Sequence, residues 1–192
     1  MAPRTKNQYE KIRESKKALI LRSALDLFAK EGYHSTSITH IADRAKISKG
    51  LLYNYFESKE ELLKEIINQG LKSISVMMDP DQDGIITTGE MRNMIDEMFH
   101  ILTEHKLFWM LYFAIITQPD VMTIAGEKVE EFLNQTIQML IAYFRARGSD
   151  NPVADAYLFG ALLDGISFNY LISSRDYPLE NVKNRIVELF VK

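Results

Sequence analysis

Apolar side chains recur through most of the sequence at the three- and four-residue spacing of an α-helix. In the first such segment, over about residues 10–31, one helix face is occupied at positions i, i+3, i+4 and i+7 by Leu21, Ala24, Leu25 and Phe28. Alternation of apolar and polar residues, which would indicate strands, is nowhere convincing. The sequence therefore predicts an all-α fold.

Capping residues and helix breakers divide this pattern into separate helices. Thr36 or Ser37 can cap one short helix, and Ser48 can cap a second. Ser58 and Glu61 have the capping-box spacing at the start of a longer helix. Separated by prolines and glycines, the remaining predicted helices cover roughly residues 90–104, 106–117, 120–147, 152–174 and 179–191.

The sequence excludes several function classes. The chain of 192 residues has no cysteine, so it contains no disulfide, thiolate nucleophile or cysteine-bound metal centre. It also has no nucleophile elbow, P-loop or dinucleotide fingerprint, and its four histidines lack metal-ligand spacing. No apolar run reaches about 18 residues, and the polar start is no signal peptide. We expect a cytoplasmic protein that is not an enzyme, needs no cofactor and does not enter a membrane.

Charge is distributed unevenly along the chain. Residues 1–50 contain 11 Lys and Arg against 5 Asp and Glu, whereas residues 51–192 contain 12 against 21. The formal net charge of −3 is therefore an average over a basic N-terminal part and an acidic remainder. A basic segment of this kind favours contact with a polyanion, although a solvated basic terminus gives the same pattern.

Residues 36–56 have the spacing of a helix-turn-helix. Two short capped helices are joined by the four-residue turn Ala45-Lys46-Ile47-Ser48. In such a unit the second helix enters the major groove of DNA with its N-terminus first. The sequence thus predicts a DNA-binding domain over residues 1–57 and a second helical domain over residues 58–192, joined through a continuous helix.

The amino-acid sequence of this segment resembles that of the TetR family of transcriptional regulators. The matching residues are Ser48 to Leu62, which read SKGLLYNYFESKEEL, together with the upstream segments FAKEGY (28–33), TSI (36–38) and Ile41-Ala42. The resemblance covers about residues 12–63. It differs from the family at Lys46, where glycine is usual, and at Leu51, which occupies an often polar position facing the bases.

The resemblance implies an all-helical homodimer with a DNA-binding head and a body that binds a small molecule. The residues expected to contact double-stranded DNA are Thr36, Ser37, Thr39, His40, Ser48, Lys49, Gly50, Tyr53, Asn54, Tyr55 and Lys59. We therefore expect a ligand-responsive regulator, a repressor released from a palindromic operator by an apolar or amphipathic effector. Tyr53 and Tyr55 can alternatively be core aromatics.

The polar break at residues 79–90 has the twelve-position pattern of an EF-hand calcium loop. Carboxylates stand at positions 1, 3 and 5, glycine at position 6 and glutamate at position 12. The expected calcium ligands are Asp79, Asp81, Asp83, the carbonyl of Ile85 and Glu90. An acidic turn without metal explains the same residues, and EF-hands normally occur in pairs. A calcium-binding interaction protein is the alternative function.

The second predicted domain is rich in methionine and aromatic residues, which are typical of adaptable ligand pockets. The expected effector-binding residues are Met94, Met98, Phe108, Trp109, Tyr112, Phe113, Met139, Tyr143 and Phe168. An ordinary hydrophobic core gives the same spacing. The last two helices carry apolar faces that can form a four-helix seam with a second copy of the chain, or can be buried within one chain.

Overall fold

The computed structural model describes residues 6–172 and 176–191, and all its regular structure there is α-helical. The helices are α1 (Lys6–Glu31), α2 (Ile38–Arg44), α3 (Lys49–Tyr53), α4 (Lys59–Met78), α5 (Thr88–Glu104), α6 (Lys106–Ile116), α7 (Pro119–Ala146), α8 (Pro152–Ile172) and α9 (Leu179–Phe190). This confirms the predicted all-α class. Most predicted boundaries differ from these by one or two residues, and the predicted end of the α8 segment at 174 lies outside the described residues.

The predicted caps begin the helices of the N-terminal part. The side chain of Ser37, and not that of Thr36, accepts a hydrogen bond from the His40 amide and caps α2. Ser48 accepts in the same way from the Leu51 amide at the start of α3. Each cap satisfies an amide that the first turn of a helix leaves without a partner.

The chain divides into two compact units. The first contains the chain up to Gly70 together with Leu111–Gly126, and the second contains Leu71–Met110 together with the chain from Glu127 onward. Three helices, α4, α6 and α7, run from one unit into the other. The predicted continuous helix is therefore present as α4, whereas the proposed boundary at 57/58 stays a prediction.

The first unit has a core to which all four N-terminal helices contribute. Phe28 of α1, Ile41 of α2, Leu52 of α3 and Leu63 of α4 are completely buried. These are the apolar positions that the helical periodicity predicts to face inward. Within this core, α2 packs against both α1 and α3.

The second unit has its own core, to which α5, α7, α8 and α9 contribute. Phe144 of α7, Phe159 of α8 and Phe190 of α9 meet in tilted, edge-to-face contacts with ring centroids 5.1–6.0 Å apart. Such aromatic contacts stabilise a core beyond the area that they bury. The Tyr143 hydroxyl donates to the Phe190 carbonyl at 3.1 Å, which attaches the end of α9 to α7.

Among the described residues, no single helix is both long and apolar enough to cross a membrane. One pair of helices, α6 and α7, meets that length and composition test together, but the pair is bent by 99° where the helices join. Several of the apolar side chains of α6, among them Leu111, Tyr112 and Ile115, are buried.

Candidate nucleic-acid interface

The turn between α2 and α3 is closed by backbone hydrogen bonds. The Lys46 amide donates to the Asp43 carbonyl at 3.1 Å, and the Ile47 amide donates to the Ala42 carbonyl at 3.0 Å. This is the hydrogen-bond pattern of a Schellman motif, whose C′ residue adopts a left-handed conformation. Lys46 occupies that position with φ +52°, so the turn accepts a side chain where the family usually has glycine.

Helix α3 has one face in the core and one face in solvent. Leu52 is completely buried, and Phe56, just beyond the helix, is buried as well. The exposed residues along this short segment are Ser48, Lys49, Gly50, Leu51, Tyr53 and Asn54. Gly50 has open space around its Cα, so the backbone here can approach a partner closely. This exposed face has the composition of a surface that reads base edges.

Two cations lie beside tyrosine rings on this segment. The Lys49 Nζ is 6.0 Å from the ring centroid of Tyr53, and the Arg13 guanidinium carbon is 5.8 Å from that of Tyr55. Tyr55 is half-buried, in contrast to Tyr53. The alternative that these tyrosines belong to the core therefore does not apply to Tyr53, and applies to Tyr55 only in part.

The start of α2 contributes both exposed and buried residues. Ser37, Thr39 and His40 are exposed, and the His40 Nδ1 lies 3.3 Å from a Glu31 carboxylate oxygen. Thr36 is only 1% exposed, and its hydroxyl donates to the Gly32 carbonyl at 2.9 Å. In this structure the Thr36 side chain holds the α1–α2 loop and does not face solvent as a DNA contact requires.

Lys59, another expected DNA contact, faces the same loop. Its Nζ donates to the carbonyls of Tyr33 at 2.7 Å, Thr36 at 2.9 Å and His34 at 3.3 Å, and it lies 4.3 Å from the Tyr33 ring centroid. Desolvation lowers the pKa of Lys59, and the negative charge of Asp120 opposes this shift. The ammonium group thus positions the loop beneath the interface.

A charged cluster joins α1 to α2. The carboxylate of Asp26 lies 2.6 Å from the Lys30 Nζ and 2.6 Å from a guanidinium nitrogen of Arg44. A hydrogen bond from Lys30 lowers the pKa of Asp26, burial opposes the shift, and the charges of Lys30 and Arg44 add to the lowering. Asp26 therefore stays ionised and keeps Arg44, the last residue of α2, against α1.

The first unit also contains a connection that sequence reasoning missed. The Gln118 amide, between α6 and α7, donates to the Phe28 carbonyl at 3.0 Å and accepts from the Tyr33 amide at 3.3 Å. Nearby, the His34 Nε2 lies 2.9 Å from an Asp120 carboxylate oxygen. These contacts join the α6–α7 corner to the α1–α2 loop. Because the partners are 85 and 90 residues apart, no local pattern signals them.

The expected effector residues are divided between the two units. Met94, Met98, Met139 and Tyr143 belong to the core of the second unit or pack against it. Phe108 and Trp109 form an edge-to-face pair on α6, with centroids 5.3 Å apart. Whether any of these side chains lines a ligand pocket stays a prediction.

Three more of the expected effector residues have different surroundings. Tyr112 is buried in the first unit, where its hydroxyl donates to the Ile67 carbonyl of α4 at 3.2 Å and burial raises its pKa. Phe113 is half-buried, whereas Phe168 is 60% exposed on α8. Phe168 therefore belongs to the surface of a single chain.

Helix α8 exposes a row of large apolar side chains. They lie near the two ends of the helix, and comprise Val153, Tyr157, Leu158, Phe168 and Ile172. Leu189 of α9 is exposed as well. The helices expected to form the dimer seam thus bury only part of their apolar surface within one chain.

Part of the expected calcium loop comes together in the structure. Ligand oxygens of Asp79, Asp81 and Asp83 lie within 4.8 Å of one another. Glu90 does not belong to this group, since its carboxylate accepts from the Thr87 amide at 2.8 Å and the Thr87 hydroxyl at 2.7 Å. A hydrogen bond from the Asp83 amide lowers the pKa of Asp81, but desolvation and the neighbouring carboxylates outweigh it and raise that pKa overall.

Comparisons with known proteins match the same N-terminal segment. Residues 20–66 match the family model of bacterial regulatory proteins of the tetR family. YuxN of Bacillus subtilis (strain 168), an uncharacterized HTH-type transcriptional regulator, is 38% identical over 96 residues, which cover 50% of this chain and 33% of YuxN. The aligned part of the chain thus spans about a third of that relative.

Other similarities extend over nearly the whole chain. The fatty acid metabolism regulator protein of Bacillus subtilis (strain 168) is 24% identical over 185 residues, which cover 90% of this chain and 92% of that protein. The crystal structure of NalD, the secondary repressor of the MexAB-OprM multidrug efflux pump in Pseudomonas aeruginosa, superposes with a TM-score of 0.69. It covers 93% of this chain and 95% of NalD at 19% identity, which shows a common fold.

Proposed function

We propose that this chain, a transcriptional regulator of the TetR family, is a homodimeric repressor that a small molecule releases from a palindromic operator. One observation carries the DNA-binding part of this function. The structure presents α3 with a buried apolar face, a capped N-terminus and an exposed polar face, as a recognition helix requires. The alternative of a calcium-binding interaction protein has no support among the relatives, which are regulators.

The DNA contacts divide by chemistry. Lys49 and Asn54 have the charge and the amide that distinguish base edges, whereas the hydroxyl of Tyr53 suits a phosphate. Leu51, exposed on the same face, suits the methyl group of thymine. Thr36 and Lys59 act indirectly in this proposal, because their hydrogen bonds hold the loop that precedes α2.

The homodimer provides the two recognition helices. The resemblance to the TetR family implies that the chain binds DNA as a dimer. The exposed apolar row on α8, with Leu189 of α9, supports a seam in which these helices of two chains form a four-helix bundle. Two-fold symmetry then places one α3 in each half-site of a palindrome.

In this proposal the effector binds in the second unit and changes the operator affinity of the helix-turn-helix in the first unit. Methionine and aromatic side chains of the second unit, among them Met98 and Met139, suit an apolar or amphipathic ligand. The similarity to a fatty acid metabolism regulator makes compounds with an acyl chain the first to test. Since α4, α6 and α7 each extend into both units, movement in the body can reach the Gln118 contacts at the α1–α2 loop. Release requires that the effector binds better to the form with low operator affinity.

Selection from a pool of random DNA tests this proposal. We expect the full chain, a non-enzymatic cytoplasmic regulator, to enrich a single palindrome and to bind it with an affinity that falls steeply as salt rises. A thermal-shift screen that includes acyl compounds then identifies candidate effectors, and these should release the protein from that palindrome. Enrichment of no sequence would contradict the regulator function, while release by none of the stabilising compounds would contradict ligand control.

A further inference from the structure

The loop between α4 and α5 gathers three carboxylates that DNA binding does not use. Asp79 directly follows α4, and Asp81 and Asp83 come next at alternate positions, with ligand oxygens of all three within 4.8 Å of one another. Three negative groups at this distance repel one another unless a cation lies between them. Asp81 and Asp83 are exposed, so the cluster opens to solvent.

Asp79 provides the observation that points to a ligand. Its side chain is only 7% exposed, and its Oδ2 accepts from the Gly84 amide at 2.9 Å. Its Oδ1 is buried and has no hydrogen-bond partner among the described residues. Burying a carboxylate oxygen without a partner is unfavourable, so such an atom beside two further carboxylates favours the binding of a positive group.

The rest of the loop has the arrangement that an oxygen-ligand cage needs. Gly84 adopts φ +81°, a left-handed conformation that allows the sharp turn after Asp83. Ile86 is buried in the core of the second unit, whereas Ile85 is exposed. The buried Ile86 anchors the loop, and the exposed Ile85 stands at position 7 of the calcium-loop pattern, where the ligand is a main-chain carbonyl.

Glu90 has a second role that competes with metal binding. Its carboxylate and the Thr87 side chain form a reciprocal capping box at the start of α5. Glutamine supports a capping box as glutamate does, but it lacks the charge of a bidentate cation ligand. Glu90→Gln therefore separates the capping role from the metal-binding role.

We propose that this loop binds one calcium ion through the carboxylates of Asp79, Asp81 and Asp83 and the carbonyl of Ile85, with Glu90 turning from its cap to complete the site. The donor atoms are all oxygens, which favours a hard cation over zinc or copper. A loop that offers this many oxygens suits calcium better than magnesium, which requires a smaller, regular octahedron. This site is independent of the regulator function and of the operator.

Isothermal titration of the metal-stripped full chain tests the site. We expect one calcium ion per chain with a dissociation constant between about 10⁻⁶ and 10⁻³ M, and weaker binding of magnesium. Calcium at about one hundred times that constant should raise the melting temperature by roughly 5–10 °C. Calcium chloride at about 5 × 10⁻³ M exceeds the largest dissociation constant in this range. No heat and no thermal shift at that concentration would overturn the proposal.

Substitutions locate the ion within the chain. Asp83→Asn changes an exposed side chain and should weaken calcium binding at least tenfold with little change in metal-free stability. Asp150→Asn, at another exposed aspartate of the second unit, is the matched control and should bind calcium as the wild type does. Equal calcium affinity in Asp83→Asn and the wild type would place the ion elsewhere and overturn the site.

Glu90→Gln tests whether Glu90 leaves its hydrogen bonds with Thr87 to bind calcium. We expect its metal-free melting temperature to match that of the wild type, because the cap persists, while calcium affinity falls at least tenfold. Unchanged calcium affinity in this variant would contradict the ligand role of Glu90.

Discussion

At the scale of single residues, Lys46 shows how this chain differs from the family it resembles. The turn before α3 requires a left-handed residue, and a lysine with φ +52° fills the position. A side chain at such a position costs roughly 1–2 kcal/mol relative to an ordinary backbone conformation. The sequence alone predicts that the turn tolerates a side chain there, and the closed turn shows how it does so.

Lys46→Gly should stabilise the protein by about 0.5–1 kcal/mol, because glycine adopts this conformation without steric strain. Denaturant unfolding of the variant measures the change. Arg22→Gly, on the exposed side of α1, is the control and should destabilise by about 1 kcal/mol, since glycine is unfavourable within a helix. A loss of stability in Lys46→Gly would contradict the inference that Lys46 is strained in a left-handed conformation.

Single residues also mark the limit of sequence reasoning about the interface. Residue type and helix position correctly placed the exposed side chains of α3. The inward-facing Lys59 and the buried Thr36 were not recognised, because their environment depends on the α1–α2 loop folding over them. The local sequence around a lysine in the first turn of a helix does not show whether its side chain faces a phosphate or the carbonyls of a neighbouring loop.

At the scale of helices, the charged cluster of Asp26 with Lys30 and Arg44 attaches α2 to α1. The pKa of Asp26 is lowered in the folded protein, so its contribution to stability is present above the unfolded pKa of about 3.9. That contribution disappears as the pH falls through the folded pKa. The cluster thus secures the helix-turn-helix at neutral pH.

Asp26→Asn should lower stability at pH 7, and the difference from the wild type should narrow as the pH falls below about 4. Urea unfolding at a series of pH values measures both effects. Asp43→Asn, at an exposed position of α2, is the control and should change stability by no more than about 0.5 kcal/mol. A difference that does not depend on pH would show that the pairing of charges is not the cause.

The packing of α6 on α4 depends on a glycine. A Cβ atom at Gly70 would lie 2.2 Å from the Tyr112 ring, closer than van der Waals contact permits. The Tyr112 hydroxyl, at 3.2 Å from the Ile67 carbonyl, holds the ring in that place. Helical spacing predicts that Tyr112 is apolar core or pocket, but cannot identify this partner.

Gly70→Ala should destabilise the protein by about 1–3 kcal/mol, because the ring or the helix must move. Gly50→Ala is the matched control, since the space around Gly50 is open, and it should be neutral or slightly stabilising. Thermal unfolding of the two variants compares them. Equal stability of Gly70→Ala and the wild type would mean that α6 does not pack on α4 as described.

At the scale of the whole molecule, the sequence predicted nine helical segments and the structure has nine among the described residues. Periodicity and caps determine helices locally, which is why their positions were predictable. The division into two units was not, because the first unit takes Leu111–Gly126 from far along the chain. The contacts of Gln118 with Phe28 and Tyr33 were not predicted for the same reason, because they join residues far apart in the sequence.

The exposed row on α8 leads to a prediction about assembly. The wild type should sediment as a dimer at micromolar concentration, and Tyr157→Glu should be monomeric, because the substitution places charges in an apolar seam. Leu133→Glu, at a similarly exposed position on α7, is the control and should remain dimeric. A monomeric wild type would contradict the dimer, and a dimeric Tyr157→Glu would contradict this seam.

We expect the exposed face of α3 to read a specific DNA sequence. The most direct measurement is fluorescence anisotropy with the selected palindrome and with a scrambled duplex, for the wild type, Asn54→Ala and Lys128→Ala. We predict that Asn54→Ala loses about tenfold or more in affinity for the palindrome and little for the scrambled duplex. Lys128→Ala, at an exposed position on α7, should match the wild type on both. Equal affinity of Asn54→Ala and the wild type for the palindrome would contradict the assignment of α3 as the recognition helix.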